Sequence, residues 1–187
     1  MSQRSLVLFV IAANLLIVIA SFLMFGWNGM GAHIAARWSA RFSVLIFIVA
    51  FAQLGLSRWI ASLPAYATLV HTFVAAHCVH FAAVVTVLFL DKENHFARNP
   101  RPASAIIGIG FTLVVVAAVT AGLRTSIAYR VLHGITIYAL FAIFMLAFVR
   151  HHLLPLRAIA VLLGLALIVR ISGAVQGTRS SSAPNAA

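Results

Sequence analysis

Residues 64–90 read PAYATLVHTFVAAHCVHFAAVVTVLFL and contain no Asp, Glu, Lys or Arg. About 20 consecutive apolar residues are enough for a helix to cross the hydrocarbon core of a bilayer. In lipid, a segment of this length must satisfy its backbone hydrogen bonds internally, and a helix does so. The stretch therefore predicts a membrane-spanning helix.

The same apolar pattern recurs in five other places. Of the 187 residues, 64% are hydrophobic and 8% are charged, whereas about 25% are charged in a typical soluble domain. We predict an all-α polytopic membrane protein with six transmembrane helices in residues 1–172 and a disordered polar tail at 173–187. Arg170 lies near the end of the last span, and we expect it to reach toward the lipid headgroups. Besides 64–90, the predicted spans are Ser5–Gly26, Phe42–Ile60, Ala103–Ala121, Ser126–Val149 and Leu153–Ile171.

The formal charge of +11 comes from 13 Lys and Arg against only two Asp and Glu. No run of basic residues forms a stripe of the kind that binds a phosphate backbone, so nucleic acid is not an expected partner. Membrane lipid is the expected surrounding. The bases divide almost evenly between the two sides, so the positive-inside rule does not assign an orientation.

Four histidines fall inside predicted spans: His71, His77 and His80 in the third and His133 in the fifth. Ionisable groups within a membrane are costly and often functional. No span contains a carboxylate or lysine to pair with them, which argues against a proton relay and disfavours a small transporter. Two interpretations remain open: neutral imidazoles that bind a metal or heme, or imidazoles that hydrogen-bond across helices.

Depth favours one histidine pair. His71 lies seven residues after Pro64 and His133 seven after Ser126, and both spans enter from the same face. Each histidine is then roughly 10 Å deep at about 1.5 Å per residue. Two imidazoles at matched depth can hold one heme iron between them. Cations near the heme propionates would come from the loops at that face, namely Arg58, Arg124 and Arg130.

His77 and His80 lie three residues apart and share a face of the third helix, so either is an alternative ligand to His71. A second heme would need a partner from span five near the level of His80, and the sequence around Leu146 contains none. We therefore expect one heme rather than two. Gly108 and Gly110 are expected to permit close approach of a helix or of a flat macrocycle.

Several short motifs follow one another in the order Ala36–Phe42, Tyr66–Leu69, Arg101-Pro102, Ile106–Phe111, Ala118–Ala121 and Arg130–His133 with Tyr138. Their order and spacing resemble the ferric reductase-like transmembrane domain. This is the six-helix heme b core of ferric reductases, NADPH oxidases and the membrane subunit of bacterial methionine sulfoxide reductase systems. His133 matches the first helix-five histidine of the family, and His77 or His80 matches its helix-three ligand, whereas Leu146 stands at the second helix-five histidine.

The resemblance implies a heme b-binding electron-transfer subunit rather than a complete enzyme. A separate flavoprotein or quinol would donate electrons and a separate acceptor would receive them. It also implies a location in the plasma membrane, the inner membrane of a bacterium, with both termini cytoplasmic. No flavin or nicotinamide site is expected in the chain, because a Gly-rich dinucleotide turn is missing. The alternative is a heme-free membrane assembly or scaffold subunit of the same fold.

Overall fold

The computed structural model describes residues 2–91, 100–123, 126–149 and 154–181, with the side chains of 2–91, 105, 107–123, 126–149 and 156–175. This part of the chain consists of six helices without a strand, which confirms the predicted all-α bundle. In chain order the helices are α1 (Gln3–Phe25), α2 (Gly29–Leu56), α3 (Tyr66–Leu90), α4 (Pro100–Gly122), α5 (Ile127–Val149) and α6 (Leu154–Ser181).

Five of these helices, α1, α2, α3, α5 and α6, are long and apolar enough to cross a bilayer. In α4, the apolar stretch with described side chains is shorter, Ile107–Gly122. These lengths and compositions fit an integral membrane protein, in which the outer apolar side chains of the helices contact lipid rather than water.

The second helix begins at Gly29 rather than at the predicted Phe42. Asn28 caps it, because the Asn28 side-chain oxygen accepts a hydrogen bond of 3.1 Å from the backbone N–H of Gly31. The 28-residue helix is roughly 42 Å long at about 1.5 Å per residue. This exceeds a hydrocarbon core of about 30 Å by about 12 Å, or about eight residues. The first two turns of the helix can therefore extend beyond the hydrocarbon, and Arg37 and Arg41 follow them.

The last helix continues to Ser181, beyond the predicted end at Ile171. The helix thus includes 173–181, the first part of the segment expected to be a disordered polar tail, and 182–187 lie outside the described residues. Packing explains part of the extension, since a Cβ on Gly173 would lie only 2.7 Å from the Cα of Gly55 on α2. The two glycines let α2 and α6 approach closely, as small residues do between membrane helices.

Five helices form a closed ring in which α2 packs on α3, α3 on α4, α4 on α5, α5 on α6 and α6 on α2. The first helix lies outside the ring, against α2 and α3. The α2 and α3 helices are antiparallel, and a contact between His33 and Asp91 joins the start of α2 to the end of α3. We call the two ends of the bundle the α3-start face and the α3-end face.

The interior of the ring differs between its two halves. Toward the α3-start face it is filled by aromatic side chains, with the ring centre of Phe47 at 5.1 Å from that of Phe73 and 5.0 Å from that of Phe144. Phe51 stacks on Phe141 at 4.8 Å in the same half. Toward the α3-end face the helices leave a partly open cavity, and the candidate site lies there.

Candidate functional site

The cavity has a volume of about 980 Å³ and lies between α2, α3, α4 and α5. Ligand-binding cavities commonly measure roughly 300–1,000 Å³, so it is large enough for a cofactor. Most of its wall is apolar, and the polar side chains on it come from α2 and α3 alone: His33, Arg37, His77, His80 and Asp91.

Small side chains create this space. Ala36 and Ala40 line it on α2, Gly110 on α4 and Ala147 on α5. A Cβ on Gly110 would meet only the ring of Phe81, at 3.6 Å, so the backbone of α4 borders the cavity directly. The close approach of another helix that was expected at Gly110 is therefore not seen there. A Cβ on Gly108 would meet no atom within 4 Å, so Gly108 does not serve a contact with another described helix.

His77 presents one ring nitrogen to the cavity. Its Nδ1 lies 2.8 Å from the hydroxyl of Ser43, and that hydroxyl donates to the carbonyl of Ala40 at 2.9 Å. Because the Ser43 proton is used on the carbonyl, its oxygen accepts from His77, which assigns the proton of the neutral ring to Nδ1. Nε2 then carries a lone pair, forms no hydrogen bond with a described residue, and is accessible from the cavity.

His80 repeats this arrangement about one turn further along α3. Its Nδ1 lies 3.3 Å from the hydroxyl of Ser39, which donates to the carbonyl of Ala36 at 3.1 Å. The proton of the neutral ring therefore again belongs on Nδ1, and the lone pair on Nε2. The ring centres of His77 and His80 are 5.0 Å apart. The cavity wall thus carries two imidazoles, each oriented by a serine of α2.

His133 is placed differently, in the filled half. Its Nδ1 lies 2.8 Å from the hydroxyl of Thr120, which donates to the carbonyl of Val116 at 2.6 Å. Its Nε2 accepts from the hydroxyl of Tyr66 at 2.9 Å. Both ring nitrogens are therefore occupied by protein groups, and His133 is only 2% exposed.

His71 also contacts α4. Its Nε2 lies 3.1 Å from the carbonyl of Ala118, and because a carbonyl only accepts, this nitrogen carries the proton. An iron bound between His71 and His133 through Nε2 atoms would require both of these hydrogen bonds to break. The predicted pair thus has both Nε2 atoms in hydrogen bonds to protein groups, whereas His77 and His80 line the cavity.

The arginines expected to meet the heme propionates are not at this cavity. Arg58 and Arg130 are exposed near the α3-start face, and Arg124 lies outside the described residues. Arg37 lines the cavity instead. Of the four histidines outside the predicted third and fifth spans, His33 contacts Asp91 at 3.0 Å on the cavity wall. His95, His151 and His152 lie outside the described residues.

Arg170 is buried inside the bundle, so the expectation that it reaches the headgroups is wrong. Its Nη1 donates to the carbonyl of Phe51 at 2.7 Å, and its Nε donates to the hydroxyl of Tyr138 at 3.3 Å. The guanidinium carbon lies 4.6 Å from the ring centre of Phe51. Because α6 continues to Ser181, Arg170 is well inside the helix rather than near its end.

Sequence reasoning missed three residues that determine which ring nitrogens of the histidines are hydrogen-bonded: Ser39, Ser43 and Tyr66. A signal existed for the serines, because Ser39 and Ser43 are four residues apart and share a helix face, as do His77 and His80. Two polar pairs, each spanning about one helical turn on consecutive helices, predict bonding between them. No comparable pattern pointed to Tyr66.

Comparisons with protein-family models, with curated proteins and with solved structures gave no match. Among the described side chains, no group of three or more His, Cys, Asp and Glu is placed to hold a metal ion. A heme iron needs only one or two axial side chains, because the porphyrin supplies the other ligands. The case for a cofactor therefore rests on the cavity and its imidazoles.

Proposed function

We propose that this protein is an integral membrane subunit that binds heme b in the cavity beside His77 and His80. It would pass electrons between a separate flavoprotein or quinol donor and a separate acceptor. One observation carries the proposal: the Nε2 lone pair of His77 faces a largely apolar cavity of about 980 Å³ inside a membrane bundle.

The residues of the cavity suit this cofactor in three respects. The apolar walls from α4 and α5 suit the body of a macrocycle, and Gly110 leaves room for a flat group beside α4. Neutral imidazole is a common axial ligand of heme iron. The bond from Nδ1 to Ser43 fixes the ring orientation and makes Nε2 a better donor, as such second contacts do at metal sites.

Each part of the chain would have a defined task. His77 would hold the iron, Ser43 orients His77, and the phenylalanines beside the His77 ring would exclude water, which also influences the reduction potential of a heme. Heme would supply the one-electron chemistry when bound. The protein is then an electron-transfer subunit of a larger oxidoreductase system, located in the bacterial plasma membrane with both termini cytoplasmic.

The site fits the resemblance to ferric reductase-like domains at one of its two histidine positions. In that comparison His77 or His80 stands at the helix-three ligand, and both line the cavity. His133 stands at a helix-five ligand, but its Nε2 is bonded to Tyr66. We therefore assign the iron to the helix-three position and treat His71 and His133 as the competing pair.

Titration of the detergent-purified chain with hemin tests the proposal. We expect a Soret band that shifts on reduction with dithionite. His77→Ala should weaken hemin binding at least tenfold, because it removes the oriented lone pair, and His80→Ala should weaken it less. The matched control is His71→Ala, a histidine of the same helix that does not line the cavity, and it should bind hemin as the parent does.

Two outcomes would contradict this assignment. The first is loss of the Soret band in His71→Ala and His133→Ala, while His77→Ala and His80→Ala keep it. This result would show that His71 and His133 are the iron ligands. A featureless spectrum in every variant, with the thermal unfolding midpoint of the parent retained, would favour the heme-free scaffold.

A further inference from the structure

Arg37 is a cation on the cavity wall with no acidic partner in the described chain. It lines the cavity from α2 and makes no hydrogen bond or ion pair with a described residue. The sequence contains only two acidic residues, Asp91 and Glu93. Asp91 is already bonded to His33 at 3.0 Å, and Glu93 lies outside the described residues. The guanidinium is therefore available to a bound molecule.

The register of α2 against α3 places Arg37 on the α3-end side of the two imidazoles. Ser43 contacts His77 and Ser39 contacts His80, so each step toward the start of α2 is a step toward the end of α3. Arg37 precedes Ser39 by two residues, or about 3 Å along the helix axis. Its side chain can extend further toward the headgroups. In the cavity, the guanidinium of Arg37 thus lies nearer to the α3-end face than the two imidazoles do.

We propose that Arg37 binds the acidic group of the molecule in the cavity and thereby sets its orientation. The inference rests on the proposed function, for which the occupant is heme b and the acidic groups are its propionates. The propionate edge would then lie toward the α3-end face, not toward the α3-start face where Arg58 and Arg130 are located. A carboxylate and a guanidinium form strong charge-assisted hydrogen bonds, often in a bidentate arrangement.

Arg41 provides a matched control one turn along the same helix. Its guanidinium carbon lies 4.5 Å from the ring centre of Trp38, and Arg41 does not line the cavity. Arg37→Gln and Arg41→Gln therefore remove the same charge from neighbouring positions of α2, and only the first removes it from the cavity wall.

The experiment compares hemin with hemin dimethyl ester, in which both propionates are esterified and uncharged. For the parent protein in detergent we expect the free acid to bind at least tenfold more tightly than the ester. Arg37→Gln should reduce this preference to about twofold or less, while the ester binds it as it binds the parent. Arg41→Gln should keep the full preference, and Arg37→Lys should keep part of it, because lysine retains the charge without the bidentate geometry.

The possible failures are distinguishable. If hemin and its ester bind the parent equally well, or if Arg37→Gln keeps the full preference, the role of Arg37 is wrong and the heme site stands. If neither compound gives a Soret band with the parent, the proposed function fails and the inference fails with it. Unchanged ester binding in Arg37→Gln also shows that this variant is folded.

Discussion

Each half of the bundle contains a buried histidine, and the two histidines have similar partners at Nδ1 but different surroundings at Nε2. His133 in the filled half and His77 in the hollow half each place Nδ1 2.8 Å from a hydroxyl whose proton is given to a helix carbonyl. The two histidines differ at Nε2. The Nε2 of His133 accepts a hydrogen bond from Tyr66 at 2.9 Å, whereas the Nε2 of His77 is open to the cavity. The difference teaches that a buried imidazole becomes a candidate ligand when its second nitrogen has no protein partner.

The two halves of the bundle also differ in how closely their helices pack. In the filled half a Cβ on Gly55 would overlap the carbonyl oxygen of Val169. At the cavity a Cβ on Gly110 would meet only Phe81 at 3.6 Å. Gly55 is required by the contact between α2 and α6, whereas Gly110 only borders the open volume of the cavity.

The largest effect is expected from Gly55→Leu. The side chain would separate α2 from α6, and overpacking of this kind typically costs about 1–3 kcal/mol or more. We expect a much lower thermal unfolding midpoint in detergent, or loss of the monodisperse protein in size-exclusion chromatography. Gly164→Leu on α6 is the control, since a Cβ there would meet no atom within 4 Å. Equal stability of the two variants would contradict the close α2–α6 contact.

A somewhat smaller effect is expected from Tyr66→Phe. The change removes the donor to Nε2 of His133 and leaves a buried acceptor unsatisfied, which costs about 1–3 kcal/mol. The unfolding midpoint should fall, while hemin binding in the cavity should persist. Tyr129→Phe, at an exposed tyrosine of α5, should leave the midpoint unchanged. Appearance of a second heme in Tyr66→Phe would sharpen the comparison, because it would show that the tyrosine is what keeps His133 from acting as a ligand.

Ser43→Ala tests the orienting bond in the hollow half. Without the serine oxygen, Nδ1 of His77 loses its acceptor, and loss of such second contacts weakens metal binding about tenfold or more. We expect at least that loss in hemin affinity. Thr120→Val makes the equivalent change beside His133 and should leave hemin affinity as it is. If Ser43→Ala binds hemin normally, the serine does not prepare His77 for ligation.

The smallest effect is expected from Gly110→Ala. Alanine in place of glycine favours a helix by up to about 1 kcal/mol, and the added methyl group has room beside Phe81. The unfolding midpoint should rise slightly or stay constant. Gly110→Phe should instead fill part of the cavity and compete with hemin without lowering the midpoint. A marked destabilisation by Gly110→Ala would mean that α4 packs more tightly here than the cavity implies.

The sequence predicted the helices better than their ends. Hydropathy located all six, because a membrane segment must be apolar along its length. It placed the start of α2 at Phe42 because Arg37 and Arg41 appeared to belong to a loop, but helices extend beyond the hydrocarbon where a cap such as Asn28 starts them earlier. The end of α6 was misplaced for a related reason, since its contact with α2 at Gly55 leaves no trace in hydropathy.

The candidate histidines were found from the sequence, but their ranking was not. Matched depth favoured His71 and His133, and depth is measured only along the helix axis. His71 and His80 lie nine residues apart, which is half a turn around α3 at 100° per residue. His71 consequently contacts α4, whereas His80 lines the cavity.

By itself the sequence determined that the chain forms apolar helices and that uncharged imidazoles lie within them. Hydrocarbon forces each segment to satisfy its own backbone, so that outcome depends on local composition alone. Only the tertiary structure decided which imidazole nitrogen is available, because the groups that occupy or orient it, such as Ser43 and Tyr66, belong to distant positions of the chain. Helix rotation and packing bring those groups within hydrogen-bonding distance, and neither is encoded in any single segment.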